Sequence, residues 1–211
     1  MRYLDLLTAL FATVLLVSNV ASTKLVVLGP FTFDGGTLLF PLAYIFGDVL
    51  TEVYGYRKSR RVIWIGFFAL LLATLTFQAV AHLPAPPDAE SQRFGEAFGL
   101  LLGLTPRIVL GSLLAYFLGE FANAYVLAKL KVRTEGRFFW LRALASTLVG
   151  QGLDTGVFLL VAFYGVFPKE VLLAVFLSNY AFKLGVEALM LPFTYAVVGF
   201  LKRAEGMDAY D

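Results

Sequence analysis

Apolar stretches of about twenty residues recur along the chain, and they limit its fold more than any other feature. Each is long enough to cross the hydrocarbon core of a bilayer, which is about 30 Å thick. The sequence therefore predicts an all-α, polytopic membrane protein with six transmembrane helices in a single domain, residues 1–211. The predicted spans are residues 4–22, 37–55, 62–83, 106–129, 142–166 and 170–200.

The overall composition agrees with a membrane location. Hydrophobic residues make up 59% of the chain and charged residues only 15%, which is more apolar surface than a soluble domain can bury. The first 17 residues imitate a signal peptide, but no clear cleavage motif follows, so we expect a retained helix. With no Cys and a single His, His82, the chain lacks the residues for disulfides, thiol redox chemistry and Cys-ligated zinc.

The basic residues of the loops predict the orientation of the helices, because Lys and Arg are enriched in cytoplasmic loops. One set of loops holds twelve of them and the opposite set four, so we expect both termini in the cytoplasm and a location in the cytoplasmic (inner) membrane. This topology also explains the pI near 8.8 without a nucleic-acid partner. The twelve are Arg2, Arg57, Lys58, Arg60, Arg61, Lys129, Lys131, Arg133, Arg137, Arg142, Lys202 and Arg203.

Three smaller features concern loops, helix starts and repeats. The outside loop 84–105 begins with Pro and acidic residues and is interpreted as an irregular lid or as a plain connector. Thr105 and Pro106 are typical of a helix N-cap and first helical residue. Residues 42–54 resemble residues 114–125, which indicates either a parallel internal repeat or chance similarity between apolar helices.

Carboxylates within the predicted spans are the most informative feature for function. A charged group in the hydrocarbon costs about 2.5–3.5 kcal/mol on insertion scales, so each one needs a reason. Only Lys183 lies within a span to oppose them, with Lys24 at an outer end. Some of the acids must then be protonated, reached by water, or bound to a donor-rich or cationic ligand. The five are Asp48, Glu52, Glu120, Asp154 and Glu187.

Helical spacing places these acids in polar stripes, which we expect to face the inside of the bundle together. Steps of three and four residues connect each acid with further polar or aromatic side chains on one helix face. The stripes are Tyr44, Asp48 and Glu52; Tyr116, Glu120 and Asn123; Thr147, Gln151, Asp154 and Phe158; Asn179, Lys183 and Glu187; and Ser18, Asn19, Ser22 and Thr23.

Several of these residues have a purely structural interpretation. Thr74, Gln78, Ser146 and Thr147 are interpreted as hydrogen-bonding groups between helices. Glu52 has a structural alternative, an ion pair with Arg57, Arg60 or Arg61 of the following loop. Lys183 and Glu187 have the spacing of an i,i+4 ion pair that braces one helix.

The sequence lacks the motifs of several common enzyme classes. The chain contains no GxSxG, no HExxH and no Gly-rich phosphate-binding loop. It therefore cannot hydrolyse ATP by itself, and we expect neither an enzyme nor a bound cofactor or metal.

Four segments, in this order, resemble the queuosine-precursor transporter family: SN (18–19), FPLAYIFGDVLTEVYG (40–55), the run R-x-L-A-S-T to D-T-x-x-F (142–158) and N-Y-x-F-K to P (179–192). The resemblance covers nearly the whole chain. It implies a six-helix membrane transporter, related to vitamin-uptake transporters. Its implied substrates are 7-deazaguanine bases, such as 7-cyano-7-deazaguanine or its aminomethyl form, imported for tRNA modification.

A substrate of this kind suits the polar stripes. A guanine-like edge offers adjacent N–H donors to a carboxylate, a Lys or amide can meet the exocyclic oxygen, and aromatic rings can stack on the bicycle. Glu52 and Glu187 are candidates for an ion pair or for proton coupling. The candidate substrate-binding residues are Asn19, Phe40, Tyr44, Asp48, Glu120, Asn123, Gln151, Asp154, Asn179 and Lys183.

Three alternatives stay open at this point. The chain could be a substrate-binding subunit for a vitamin-like molecule beside a separate energising module, an intramembrane enzyme, or a passive ion pore. Its expected partners are the small-molecule base and the lipid bilayer, and a homodimer is among the assemblies left open.

Overall fold

The computed structural model describes residues 2–28, 31–103 and 106–210 of the chain, and Thr105, the predicted N-cap, lies outside them. The described residues are predominantly helical, as the sequence predicted. Their α-helices are α1 (Leu4–Ala21), α2 (Phe40–Tyr54), α3 (Tyr56–Ala81), α4 (Ala89–Leu102), α5 (Pro106–Arg133), α6 (Phe139–Phe163) and α7 (Lys169–Glu205).

Among the described residues, five helices are long and apolar enough to cross a membrane: α1, α3, α5, α6 and α7. Each corresponds to one predicted span, so the chain is a multi-pass membrane protein. Helix α2 has 15 residues and is about 22 Å long, which is shorter than the hydrocarbon core. A 3-10 helix over Gly35–Leu39 leads directly into it and adds about 10 Å of length.

The path of α2 follows from the contacts at its two ends. Near its start, the Ser18 hydroxyl at the end of α1 donates a hydrogen bond to the Gly36 carbonyl at 3.2 Å. At its other end, the Tyr54 hydroxyl donates to Glu205 at 2.9 Å, and the Tyr3 backbone N–H donates to the same carboxylate at 2.7 Å. Helix α2 therefore runs antiparallel to α1 over nearly the same depth. We call the end that holds both chain termini the terminal end.

A short β-hairpin departs from the all-α prediction. Strands β1 (Leu25–Leu28) and β2 (Phe31–Asp34) pair antiparallel between α1 and α2. The segment is rich in Leu, Val and Phe with a Gly-Pro pair at its centre, a composition that favours strands joined by a turn. The prediction left residues 23–36 as a connection between two spans and assigned no strands to them.

Loop 84–105 contains a helix, so the prediction that it is irregular was wrong, while its role as a lid or as a connector stays a prediction. Asp88 is the N-cap of α4, and its carboxylate accepts a hydrogen bond from the Ser91 N–H at 2.8 Å. That hydrogen bond holds the pKa of the exposed Asp88 carboxyl below its usual value. None of the α4 residues is buried, and Phe98 packs edge-on against Phe77 of α3 at 6.3 Å between ring centres.

Helices α5 and α6 approach each other through small residues, as membrane helices commonly do. A Cβ on Gly119 would lie 2.8 Å from the Cβ of Asp154, and one on Gly150 would lie 2.7 Å from the Cβ of Asn123. Gly111 packs in the same way against Ala162. We call these three glycines with their contacts the α5–α6 seam, and the seam fixes the positions of both polar helix faces.

Helix α7 continues for 37 residues, about 56 Å, and contains Pro192 without a break in the helix. The best-buried apolar side chains lie toward the terminal end, where α2, α5 and α7 converge, and they close that end of the bundle. This core includes Val49, Leu50, Val53, Leu127 and Leu201, each exposed by at most 3%.

Candidate substrate cavity and its acidic surroundings

A cavity of about 490 Å³ lies in the half of the bundle away from the terminal end. Its volume is within the range of small-molecule sites, roughly 300–1,000 Å³. The final turns of α1, the first half of α5, the second half of α6 and the first half of α7 form its walls, and it reaches exposed side chains such as Ser22 and Asn179. The polar residues of the lining are Ser18, Asn19, Ser22, Thr23, Ser112, Tyr116, Glu120, Gln151, Asp154, Thr155, Asn179 and Lys183.

The ion pair between Lys183 and Asp154 is the central charged feature of the cavity. The Lys183 ammonium lies 2.8 Å from a carboxylate oxygen of Asp154 and 3.2 Å from the Thr155 hydroxyl. The two charged side chains keep 13% and 29% of their surface exposed, so a ligand can reach them. The predicted helix-bracing pair of Lys183 with Glu187 is wrong, because the ammonium points across to α6.

Glu120 adds a second carboxylate to the cavity wall. It forms no hydrogen bond with the other residues that the structure describes, and its carboxylate lies 3.7 Å from the place a Cβ on Gly47 would take. With both acids ionised, the cavity would hold two negative charges against the single charge of Lys183. Such a wall favours ligands that donate hydrogen bonds or carry positive charge.

Aromatic side chains flank the polar wall. Phe158 and Phe163 both line the cavity and pack edge-on with ring centres 5.7 Å apart. Tyr116 also lines it, while its hydroxyl donates to the Ile63 carbonyl at 3.1 Å. Tyr180 lies elsewhere, since its hydroxyl donates to the Leu148 carbonyl. The side chains of the candidates Phe40 and Tyr44 lie outside the described part of the molecule.

Two predicted substrate-binding residues, Asp48 and Asn123, are absent from the cavity lining. Asp48 instead faces Glu187 of α7 and Asn123 of α5, and both carboxylates are only 1% exposed. The fully buried side-chain oxygens that lack a hydrogen-bond partner among the described residues belong to this group: Asp48 Oδ2, Asn123 Oδ1 and both oxygens of Glu187. We call Asp48, Asn123 and Glu187 the buried acid pair with its amide.

Glu52 belongs to a third group, at the terminal end. Its carboxylate, 1% exposed, accepts hydrogen bonds from Arg142 at 2.5 and 3.2 Å and from Lys202 at 2.8 Å. Lys131 lies 3.7 Å away. The alternative that paired Glu52 with Arg57, Arg60 or Arg61 is therefore wrong: its cations come from the distant helices α5, α6 and α7.

The last described residues complete this group. The Lys131 ammonium donates to the Glu52 carbonyl at 2.5 Å, to the Asp208 carboxylate and to the Ala209 carbonyl at 2.7 Å. Lys202 also pairs with Asp208 at 2.9 Å. Burial alone would raise the pKa of Asp208, but the two ammonium groups outweigh it and hold that pKa below its usual value. We call Glu52, Lys131, Arg142, Lys202 and Asp208 the terminal network.

Sequence reasoning missed some of these residues, although signals for two of them were present. Ser112 precedes Tyr116 and Glu120 by steps of four, which places it on their stripe. Thr155 follows Asp154 directly. The partners of Glu52 had no sequence signal, because they come from three separate helices that lie far from Glu52 along the chain.

A family profile described as "putative vitamin uptake transporter" matches residues 34–197, which is most of the chain. The chain belongs to this family. The match includes the acids of the cavity, those of the buried pair and Glu52.

Individual relatives in this transporter family carry a more specific name. A "probable queuosine precursor transporter" of Bacillus subtilis (strain 168) is 36% identical over an alignment that covers 88% of this chain and 80% of the relative's length. A "queuosine precursor transporter" of Escherichia coli (strain K12) is 27% identical over an alignment that covers 77% of this chain and 71% of the relative's length. The resemblance to this family is confirmed, as is the expectation of a transporter rather than an enzyme. No solved structure matches the chain.

Proposed function

We propose that the protein imports a queuosine precursor, a 7-deazaguanine base, through the cavity. The Lys183–Asp154 pair in a half-exposed cavity is the observation that carries this proposal. A donor and an acceptor placed side by side are what a guanine-like edge requires, since it presents a carbonyl oxygen next to N–H donors. The names of the relatives support the same substrate class.

Each polar group of the base has a complementary side chain in the cavity. Asp154 accepts the two adjacent N–H donors of the base, and Lys183 donates to its carbonyl oxygen. Gln151 and Asn19 supply further amide groups, and Phe158 offers a face for the flat bicycle. Binding replaces an internal ion pair by ligand hydrogen bonds, so neither charged group is left without a hydrogen-bond partner.

Glu120 distinguishes the two precursor forms. An aminomethyl group at position 7 is cationic near neutral pH and forms a charge-assisted hydrogen bond with an ionised carboxylate. A cyano group only accepts hydrogen bonds and requires a protonated Glu120 or an amide donor. We infer that Glu120 favours the aminomethyl form when ionised.

The proposed topology has six crossings, with α2 and its 3-10 helix as the second and both termini in the cytoplasm of a cell whose inner membrane holds the protein. The lengths of the 3-10 helix and α2 together match the hydrocarbon core, and the excess of basic residues lies at the terminal end. The cavity then opens to the outside, and the terminal network closes the cytoplasmic side. This is the outward-facing state of an alternating-access importer.

Thermal-shift titration of the purified protein, followed by uptake into proteoliposomes, tests the substrate. We expect 7-cyano- and 7-aminomethyl-7-deazaguanine to raise the melting temperature with concentration, and guanine and biotin to leave it unchanged. Glu120→Gln should weaken binding of the aminomethyl form more than binding of the cyano form. Stabilisation by biotin alone, or by none of the four, would contradict the proposed substrate.

The absence of Cys from the chain makes the topology directly testable. Single cysteines at Glu96 of α4 and at Arg57 in the first turn of α3 should react differently with a membrane-impermeant maleimide in intact cells. Labelling of position 96 alone agrees with six crossings. Labelling of position 57 from outside would contradict the proposed orientation.

A further inference from the structure

The buried acid pair, Asp48 of α2 and Glu187 of α7, lies between the cavity and the terminal network. Both side chains are 1% exposed, and both Glu187 oxygens and one Asp48 oxygen lack a hydrogen-bond partner among the described residues. Two ionised carboxylates in this position would present only acceptors to each other, and an unsatisfied buried polar group costs about 1–3 kcal/mol, more when charged.

The charged groups around the pair do not neutralise it. Glu52, one turn from Asp48 on α2, is itself an acid and is already bound to Arg142 and Lys202. Helix α5 contributes Glu120, on the cavity side. On α7, the ammonium of Lys183 is hydrogen-bonded to Asp154.

The remaining ligand from α5 is an amide, Asn123, whose Oδ1 is also without a partner in the described residues. Two carboxyls and one amide offer few oxygens to a metal ion, since hard cations take about six or more oxygen ligands. A proton needs only two oxygens. When one carboxyl holds it, the hydroxyl donates to the other carboxyl and both groups are satisfied.

We propose that Asp48 and Glu187 together bind one proton and that this proton is exchanged during each transport cycle. The coupling to transport rests on the proposed import of a base, whereas the proton site itself does not. Only an O–H bond is broken and formed: the proton leaves as the pair ionises and passes by way of Glu120 to the water of the cavity, or to the cytoplasm when the terminal end opens.

Proton loss changes the packing of α2 against α7. Two adjacent carboxylates in a low-dielectric interior repel each other strongly, whereas the protonated pair joins the helices by a hydrogen bond. The protonated pair therefore holds the terminal end closed, as the structure shows it, and its ionisation favours separation of α2 from α7. Binding of the proton thus favours the packing in which α2 and α7 are in contact, and loss of the proton favours the packing in which they are separated.

Infrared difference spectroscopy tests the proton site without any substrate. The wild-type protein near neutral pH should show the carbonyl band of one protonated carboxyl that the double variant Asp48→Asn/Glu187→Gln lacks. Glu96→Gln, which removes an exposed carboxyl of α4, should retain this band. A band of equal intensity in wild type and double variant would overturn the shared proton.

Proteoliposome transport tests the coupling. We expect an imposed pH gradient, acidic outside, to drive accumulation of 7-aminomethyl- or 7-cyano-7-deazaguanine by wild type. The variants Glu187→Gln and Asp48→Asn should lose accumulation but still exchange internal for external base. Accumulation driven by a sodium gradient, or retained by both variants, would overturn the coupling. If wild type binds neither base, the proposed substrate fails, and the infrared result alone decides the proton site.

Discussion

The terminal network and the cavity both contain buried acids, but they differ in how those acids are satisfied. At the terminal end, Glu52 meets Arg142, Lys202 and Lys131, and its oxygens are fully used. In the cavity, Lys183 pairs with Asp154, and Glu120 has no hydrogen bond with the described residues. The first arrangement braces four helices and the C-terminal segment, whereas the second leaves capacity for a ligand.

This contrast shows that a buried charge in a membrane protein is not by itself a functional residue. Removing one partner of a satisfied buried pair leaves an uncompensated charge and destabilises the fold. Removing a group from a partly open site affects the ligand more than the fold. Each region should therefore respond to substitution in a different measurement.

The largest effect on stability should come from the terminal network. Glu52→Gln leaves Arg142 and Lys131 buried without their carboxylate, and we expect a loss of about 3–5 kcal/mol in the free energy of unfolding. Thermal unfolding in detergent measures this loss, with Glu96→Gln on exposed α4 as the control. An unchanged melting temperature in Glu52→Gln would mean that water already screens the network.

The cavity should show the opposite response. Lys183→Met removes a charge-assisted hydrogen bond to the base, so we expect affinity to fall about 10–100-fold, the equivalent of about 1.5–3 kcal/mol. The melting temperature without ligand should change little, because the ion pair is partly exposed. Ligand titration by thermal shift measures both quantities.

Lys169→Met, which removes an exposed ammonium at the start of α7, is the matched control for that substitution. It should bind the base like wild type. If both variants lost affinity equally, the effect would come from the overall charge of the outer surface, and the cavity would have no special part in it.

The α5–α6 seam links the two regions, so a substitution there should affect both stability and base binding. Gly119→Ala places a methyl group 2.8 Å from the Asp154 Cβ, so the helices must separate, at a cost of about 1–3 kcal/mol. The displacement should also weaken base binding, because Asp154 moves with α6. Gly199→Ala, where a new Cβ meets nothing within 4 Å, should be neutral or slightly stabilising.

The smallest effect concerns Asp208 and depends on pH. Lys131 and Lys202 hold its folded-state pKa below the unfolded value, despite burial that opposes them. Its stabilising contribution is therefore fully present above the unfolded pKa and is lost as pH falls through the folded pKa. Because the side chain is 40% exposed, we expect at most about 1 kcal/mol.

The difference in melting temperature between wild type and Asp208→Asn measures this contribution. It should be positive at neutral pH and disappear at acid pH. A difference that stays constant down to acid pH would show that the carboxylate contributes through hydrogen bonds that an amide cannot replace, and not through its charge.

The sequence predicted the spans well for a physical reason: lipid leaves the backbone no partners outside the segment, so apolar stretches of sufficient length must be helices. Helical spacing also identified Asp154, Lys183 and Glu120, which do line one cavity. Spacing alone could not show that Asp48 lies between the cavity and the terminal network. It predicts which face of a helix a residue occupies, but not which residues of other helices pack against that face.

Other misses have local causes. Helix α4 had a readable start in Asp88 and Ser91 and an apolar face with helical period, but the Pro-rich opening of the loop concealed it. The choice of Arg142 for Glu52 over the nearby arginines at the start of α3 depends on how α2 and α6 are rotated against each other. That rotation is set by packing, which a single sequence does not reveal.

The terminal network has a consequence for the synthesis and membrane insertion of the protein. Its members are spread from residue 52 to residue 208, so the ribosome makes Glu52 long before Lys202 and Asp208 leave the exit tunnel. During insertion, Glu52 of α2 therefore lacks part of its network until the segment with residues 202 and 208 has been synthesised. A nascent chain halted before residue 202 should therefore remain a target for membrane quality-control proteases, whereas a chain that includes residue 208 can complete the network.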